Sequence, residues 1–169
     1  IGIIHAGRRD GSLQVIEDFA SRDARIEILV TQNGGVSLAR RAGIDASRGE
    51  FVFFLDGDDY VTSDCLEMLY GAAVRDNSDI VSPALIRECA TYSTIIYPYI
   101  IQKVDGLEYM NILLRHNIFT SVMSKLYRRS LWDGVHFYKE LHLWEDFVMN
   151  IEIAMKRPVV SFIQEPLYF

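Results

Sequence analysis

A chain of 169 residues that is 50% hydrophobic and 12% aromatic carries enough apolar material for one well-buried core, which sets intrinsic disorder aside. Its formal charge of -6 and pI near 5.2 exclude a general nucleic-acid or anionic-membrane binder. Only local basic clusters such as Arg40-Arg41 and Arg128-Arg129 are left to meet phosphates.

Residues 1–5 read as a short apolar strand rather than a signal peptide. Ser12 can cap a helix whose Leu13, Ile16, Phe19 and Ala20 form one stripe, before a second strand at 26–30. Another helix follows the NGG at 33–35, runs through Leu38, Ala39 and Ala42 and stops near Gly49. A third strand, 51–55, precedes a helix marked by Leu66, Leu69, Tyr70 and Ala73 and capped by Thr62 or Ser63. Strands alternating with helices imply a parallel sheet flanked by helices.

Beyond Asp79, DIVSPALI reads as a strand and TYSTIIYPYII as β-rich, with Pro98 marking an edge or a bulge. A helix spans 106–116, and 123–127 is a short strand. Trp144, Val148, Ile151 and Met155 share a helical face that Pro158 ends. The longest apolar stretch, 95–101, is interrupted by Tyr97, Pro98 and Tyr99 and is far too short to span a bilayer. Cys65 and Cys89, without a CxxC or a histidine cluster, indicate neither a zinc site nor a disulfide framework and fit a reducing cytoplasm. With no long linker, one domain is expected over 1–169.

The most informative string is FFLDGDDY, where an apolar run ends in Asp56, Asp58 and Asp59 around Gly57. A strand of Phe51 to Leu55 buried on both faces would place these acids at its carboxyl end, where open α/β sheets bind ligands. Clustered carboxylates repel unless a hard cation such as Mg²⁺ or Mn²⁺ neutralises them. The same letters are also ordinary turn chemistry with a helix cap, so both readings stand at this point. An EF-hand is excluded, because Tyr60 and Val61 fall where that loop needs a ligand and a glycine.

GRRDGS, then QNGGVSLARRAGI, GEFVFFLDGDDYV, KLYRRSL and WEDFVMNIE, in this order, resemble the family-2 inverting glycosyltransferases with the GT-A fold. The likeness is strongest to bacterial members that build capsular, exopolysaccharide or lipopolysaccharide glycans. It implies an α/β fold with a mixed, mostly parallel sheet flanked by helices, a nucleotide-binding half over about 1–85 and an acceptor-side half over about 86–169. It implies Asp58 and Asp56 as ligands of Mn²⁺ or Mg²⁺, and Arg40, Gly35, Asp56 and Asp59 as contacts of the nucleotide-sugar. Asp146 is the implied general base with Glu145 beside it, and Trp144 and Lys125 are acceptor-side candidates. A surface ion pair for Arg40, helix-end stabilisation for Glu145 and Asp146, a solvated basic turn for Lys125 and Arg128, and a core role for Trp144 are the plain alternatives. The expected partners are a nucleotide-sugar, a UDP-sugar first, and a glycan or lipid-linked acceptor, with no nucleic acid. A cytoplasmic location, peripheral at the inner face of a membrane for a lipid-linked acceptor, follows as an expectation, and a homo-oligomer stays open.

Three departures qualify the resemblance. The family opens with an additional apolar strand and a proline turn, and this chain begins at what reads as its second strand, so the fold is expected to be N-terminally incomplete. His5-Ala6 stands where the family has an acidic pair whose second member reads the nucleotide base, and a neutral imidazole and an alanine cannot replace a carboxylate accepting from an imide. Arg41 stands where the family commonly has asparagine. His5 alone reads as a strand-end side chain and Arg8-Arg9 as solvated. A non-catalytic GT-A-like binding module or inactive fragment is therefore the alternative. Nucleotidyl transfer is a third reading, weakened by the lack of a glycine-rich, lysine-bearing loop near the first strand.

Overall fold

The computed structural model describes residues 1–169 except 8, 9, 32, 33, 99, 101, 117, 139 and 142. The chain divides into two compact units, one made of Ile1–Gly49 and His136–Glu145, the other of Glu50–Val135 and Asp146–Phe169. The division falls between Gly49 and Glu50, and residues 136–145 return to the first unit.

In the first unit, β1 (Gly2–His5) and β2 (Glu27–Val30) form a two-stranded parallel ladder in which Gly2 faces Glu27 and His5 faces Val30. Between them lies α1 (Ser12–Arg22), whose N-cap is Gly11 at φ 84° rather than Ser12. Ser12 instead donates both its amide and its hydroxyl to Asp10 Oδ1, at 3.1 and 2.5 Å, an Asx-type turn that does the capping work. α1 buries no residue, and Phe19 on its expected stripe is exposed. α2 (Val36–Ala46) lies close on β1, since a Cβ on Gly43 would come within 3.1 Å of Ile4 Cδ1. It runs through Leu38, Ala39 and Ala42 as expected, and its buried face is Ser37, Arg40 and Ile44. The polar Arg40 takes an inward position that an apolar count assigns elsewhere.

The second unit holds a five-stranded mixed sheet. β3 (Phe51–Phe53), β6 (Leu126–Arg128), β4 (Ile80–Glu88) and β5 (Ser93–Ile96) follow in that order, all joined antiparallel, and β7 (Val160–Tyr168) pairs with β4 in parallel. Two ladders in the chain are thus parallel and three antiparallel among the described residues. The helix-strand alternation runs from β1 to β4, yet parallel pairing joins only β1 with β2 and β4 with β7 among the described residues. Pro98 falls past the end of β5, which among the described residues pairs with β4 alone, as an edge-strand proline does.

The core of this unit forms where α3 (Cys65–Asp76) lays Cys65, Leu69, Ala72 and Ala73 against Val81, Leu126, Ile163 and Leu167. Burying Leu69 contributes about 1.5–3 kcal/mol. Leu66 and Tyr70, expected on that face, stand exposed, because the buried stripe is turned by one residue. The cap position is Asp64, not Thr62 or Ser63. β3 is shorter than 51–55 and only partly buried, with Leu55 exposed.

Asp105 caps α4 (Gly106–Leu114) by accepting from the amides of Leu107 and Glu108. At Gly106 a Cβ would meet Arg157 Cα at 2.4 Å and Ala154 O at 2.8 Å, so only glycine lets α4 start against the end of α5 (Glu145–Met155). That helix buries Met149, Asn150, Ile153 and Ala154, while Trp144 and Met155 of the expected face are exposed. Arg157, at φ 57°, turns the chain into Pro158 and β7.

Candidate active site

At the end of β3 the chain folds into a tight turn in which the Asp59 amide donates to Asp56 O at 3.2 Å. One carboxylate oxygen from each of Asp56, Asp58 and Asp59 falls within 4.8 Å of the others, with Asp58 exposed and its neighbours partly buried. Three hard anionic oxygens at this spacing match the donor preference of Mg²⁺ or Mn²⁺ and are costly to gather without positive charge.

Tyr168, from the far end of β7, fastens this turn. Its phenol donates to Asp59 Oδ2 at 2.5 Å and accepts the Asp56 amide at 3.4 Å. Burial first, and the bond to Asp59 second, push the phenol well above its ordinary pKa, so it stays a donor. The same oxygen lies 3.6 Å from Met123 Sδ.

Asp146 stands at the start of α5, where the positive end of the helix dipole favours a carboxylate. Its Oδ2 accepts from Ser121 Oγ at 2.5 Å and from the Val122 amide at 3.2 Å. The Met123 amide in turn donates to Ser121 Oγ at 3.4 Å. A run of contacts, Asp59 to Tyr168 to Met123 to Ser121 to Asp146, therefore links the acid turn to the expected base within the second unit.

Lys125 corrects an expectation. It is 0% exposed, and its ammonium donates to the carbonyls of Phe119 at 2.7 Å and Ser121 at 2.5 Å. A side chain closed off from solvent cannot reach an acceptor sugar, nor is it the solvated basic residue of the plain alternative. Burial lowers its pKa to about 7, against the attraction of Asp146. Arg128 is likewise engaged, donating to Asp79 Oδ1 at 2.8 Å and Glu50 Oε1 at 2.6 Å.

Within the first unit, Gly35 at φ 86° opens α2, a conformation that favours glycine. Arg40 is only 7% exposed, and its Nη1 lies 3.9 Å from Glu145 Oε1, itself largely buried. The surface ion pair weighed for Arg40 falls instead to Arg41, which meets exposed Asp45 at 2.9 Å. Glu145 thus faces Arg40 while Asp146 faces Ser121, and the two members of the expected catalytic pair part company. Trp144 is 61% exposed and adopts φ 69°, so a core role is not its place. His5 ends β1, buried, with both ring nitrogens lacking a hydrogen-bond partner among the described residues. Arg8, Arg9 and Asn33 lie outside the described residues.

Ser121 and Tyr168 bond to the candidate carboxylates, and neither is among the site residues that the sequence points to. The β-branched run after Pro158 signals β7 and with it Tyr168. Nothing local marks Ser121, whose role exists only through a carboxylate 25 residues away.

Residues 1–135 match the family described as Glycosyl transferase family 2. The chain is 31% identical to the "uncharacterized glycosyltransferase EpsJ" of Bacillus subtilis strain 168, over 98% of this chain and 50% of that protein. It is 30% identical to a cholesterol galactosyltransferase of Borreliella burgdorferi, again over 98% of this chain and 50% of the relative. The crystal structure of S. aureus TarS 1-349 superposes with a TM-score of 0.82 at 19% identity, covering 99% of this chain and 49% of that one. This likeness establishes the GT-A fold. The chain spans about half the length of the curated relatives it matches. On these matches, the chain belongs to glycosyl transferase family 2.

Proposed function

We propose that the protein carrying this chain transfers a sugar, with inversion, from a nucleotide-diphosphate sugar to a hydroxyl of a glycan or lipid-linked acceptor in polysaccharide synthesis. One observation carries the reading: three convergent carboxylates at the end of β3 are linked, through Tyr168, Met123 and Ser121, to a fourth at the start of α5. Structures of S. aureus TarS in complex with UDP and with UDP-GlcNAc have the same fold, which supports a UDP-sugar as donor.

In this reading Asp146 accepts the proton of the acceptor hydroxyl as it attacks the anomeric carbon, worth roughly 10² to 10⁴ in rate. Ser121 and Val122 hold the carboxylate for that transfer. Arg40 and the glycine-opened start of α2 face the nucleotide, and exposed Trp144 offers an apolar face to the acceptor. A Mg²⁺ or Mn²⁺ held by Asp56 and Asp58 would supply positive charge against the departing diphosphate. Tyr168 keeps Asp59 and the turn in register. A lipid-linked acceptor would bring the protein to a membrane surface; no helix among the described residues is long and apolar enough to cross one.

The test is calorimetric titration of the full-length polypeptide with UDP and Mn²⁺, with and without Asp58→Ala, followed by NMR of the product anomer. Binding that ignores Asp58, or a retained anomer, would count decisively against it. His5-Ala6 favours a non-catalytic binding module as the second reading. Turnover of any sugar nucleotide that disappears in Asp146→Asn eliminates that module.

A further inference from the structure

Three consecutive carbonyls, those of Phe119, Thr120 and Ser121, are each taken by a buried side chain. Lys125 Nζ donates to the first and third, at 2.7 and 2.5 Å, and Asn150 Nδ2 donates to the second at 2.8 Å. Asn150 also donates to Asp146 O at 3.1 Å and accepts from the hydroxyls of Tyr109 and Tyr127 at 3.1 and 2.8 Å. All four of its hydrogen-bonding capacities are therefore used. Lys125 and Asn150 are both 0% exposed. Burying an amine here is costly, and leucine or methionine would fill the space more cheaply if packing were the only need. What the two side chains hold is the segment that presents Ser121 Oγ and the Val122 amide to Asp146 Oδ2.

We propose that Lys125 is a positioning residue for the acceptor-activating carboxylate: with Asn150 it clamps the backbone at 119–121, and the clamped segment fixes Asp146 in one orientation. The inference rests on the reading of Asp146 as the proton acceptor. Lys125 acts at one remove, through the backbone and Ser121, and touches no substrate. Even a misplacement of about 1 Å at the reacting groups costs on the order of 10²-fold in rate, so the clamp shows in kcat.

The experiment measures transfer kinetics of the full-length polypeptide with saturating UDP-sugar for Ser121→Ala, Ser121→Thr, Lys125→Met and Asp146→Asn. Ser121→Ala and Lys125→Met are expected to lower kcat by roughly 10- to 100-fold and leave the donor KM unchanged. Ser121→Thr, which keeps a hydroxyl, should recover most of the rate. A wild-type kcat in a folded Lys125→Met, or a Ser121→Thr as impaired as Ser121→Ala, overturns the proposal. Should Lys125→Met fail to fold, the two Ser121 variants decide it. Asp146→Asn separates the two levels: if it keeps turnover, the base reading itself fails. If it is inactive while Ser121→Ala and Lys125→Met are normal, only the clamp fails.

Discussion

The two units of this chain are built to different standards of cohesion. The second unit has a five-stranded sheet, a helix packed into it and a core in which Leu69, Val81, Tyr127 and Met149 are fully enclosed. The first has a two-stranded sheet and, among the described residues, one buried hydrophobic side chain, Ile44, in the company of His5, Ser37 and Arg40. Two-stranded sheets are marginal by themselves. The difference teaches that apolar composition averaged over a chain says little about where cohesion lies. Here the larger core and the clustered carboxylates sit together in the second unit, and two of the expected nucleotide contacts, Gly35 and Arg40, sit on the less cohesive one.

The sharpest way to break this comparison is at the carboxylate. Asp146→Asn should reduce kcat by about 10²- to 10⁴-fold with little change in thermal midpoint, measured on the same preparation. Next in size is the core. Leu69→Ala should destabilise the second unit by about 2–5 kcal/mol in denaturant unfolding, whereas Val15→Ala on exposed α1 should stay within about 0.5 kcal/mol. Equal losses at both would refute the asymmetry.

Gly106→Ala forces a methyl against the Arg157 backbone and should cost about 1–3 kcal/mol, read as a lowered midpoint. Hydrogen exchange should show β1 and β2 amides opening at lower free energy than those of β4 paired with β7.

The smallest effect is one of sign. Because burial lowers Lys125 from 10.5 to about 7, the unfolded chain binds more protons than the folded one between those values. The Lys125 contribution is complete above the unfolded pKa and is lost as pH falls toward 7. Stability should therefore rise from pH 7 toward 9 in the native protein, and that slope should flatten in Lys125→Met, followed by thermal melts across the range.

Much of the architecture was legible because the α/β alternation up to residue 55 and the DGDD string are local signals. β1, β2 and β4 fall where the residues suggested. The errors share a cause. Hydrophobicity places Leu66, Tyr70, Trp144 and Met155 on inward helix faces, yet the buried stripes include Cys65 in α3 and Asn150 in α5. Polar and small residues with inward tasks do not announce themselves by hydropathy. Lys125 is the clearest case, since a lysine beside basic neighbours reads as solvated until the carbonyls of 119 and 121 are seen to enclose it. Gly35 and the acid turn were legible for the opposite reason, as backbone geometry and clustered charge leave their mark in a few adjacent letters.

The hydrogen bond between Tyr168 and Asp59 joins residues 109 positions apart, which has a consequence for the order of folding. A loop of that length closes slowly, and its entropy must be overcome before the contact rewards it. The acid turn can form early beside β3, but it gains its tyrosine latch only once β7 has aligned along β4. Because β7 also supplies Ile163 and Leu167 to the α3 core, completion of the core and closing of the latch should come together, and both should lag behind recovery of helix during refolding.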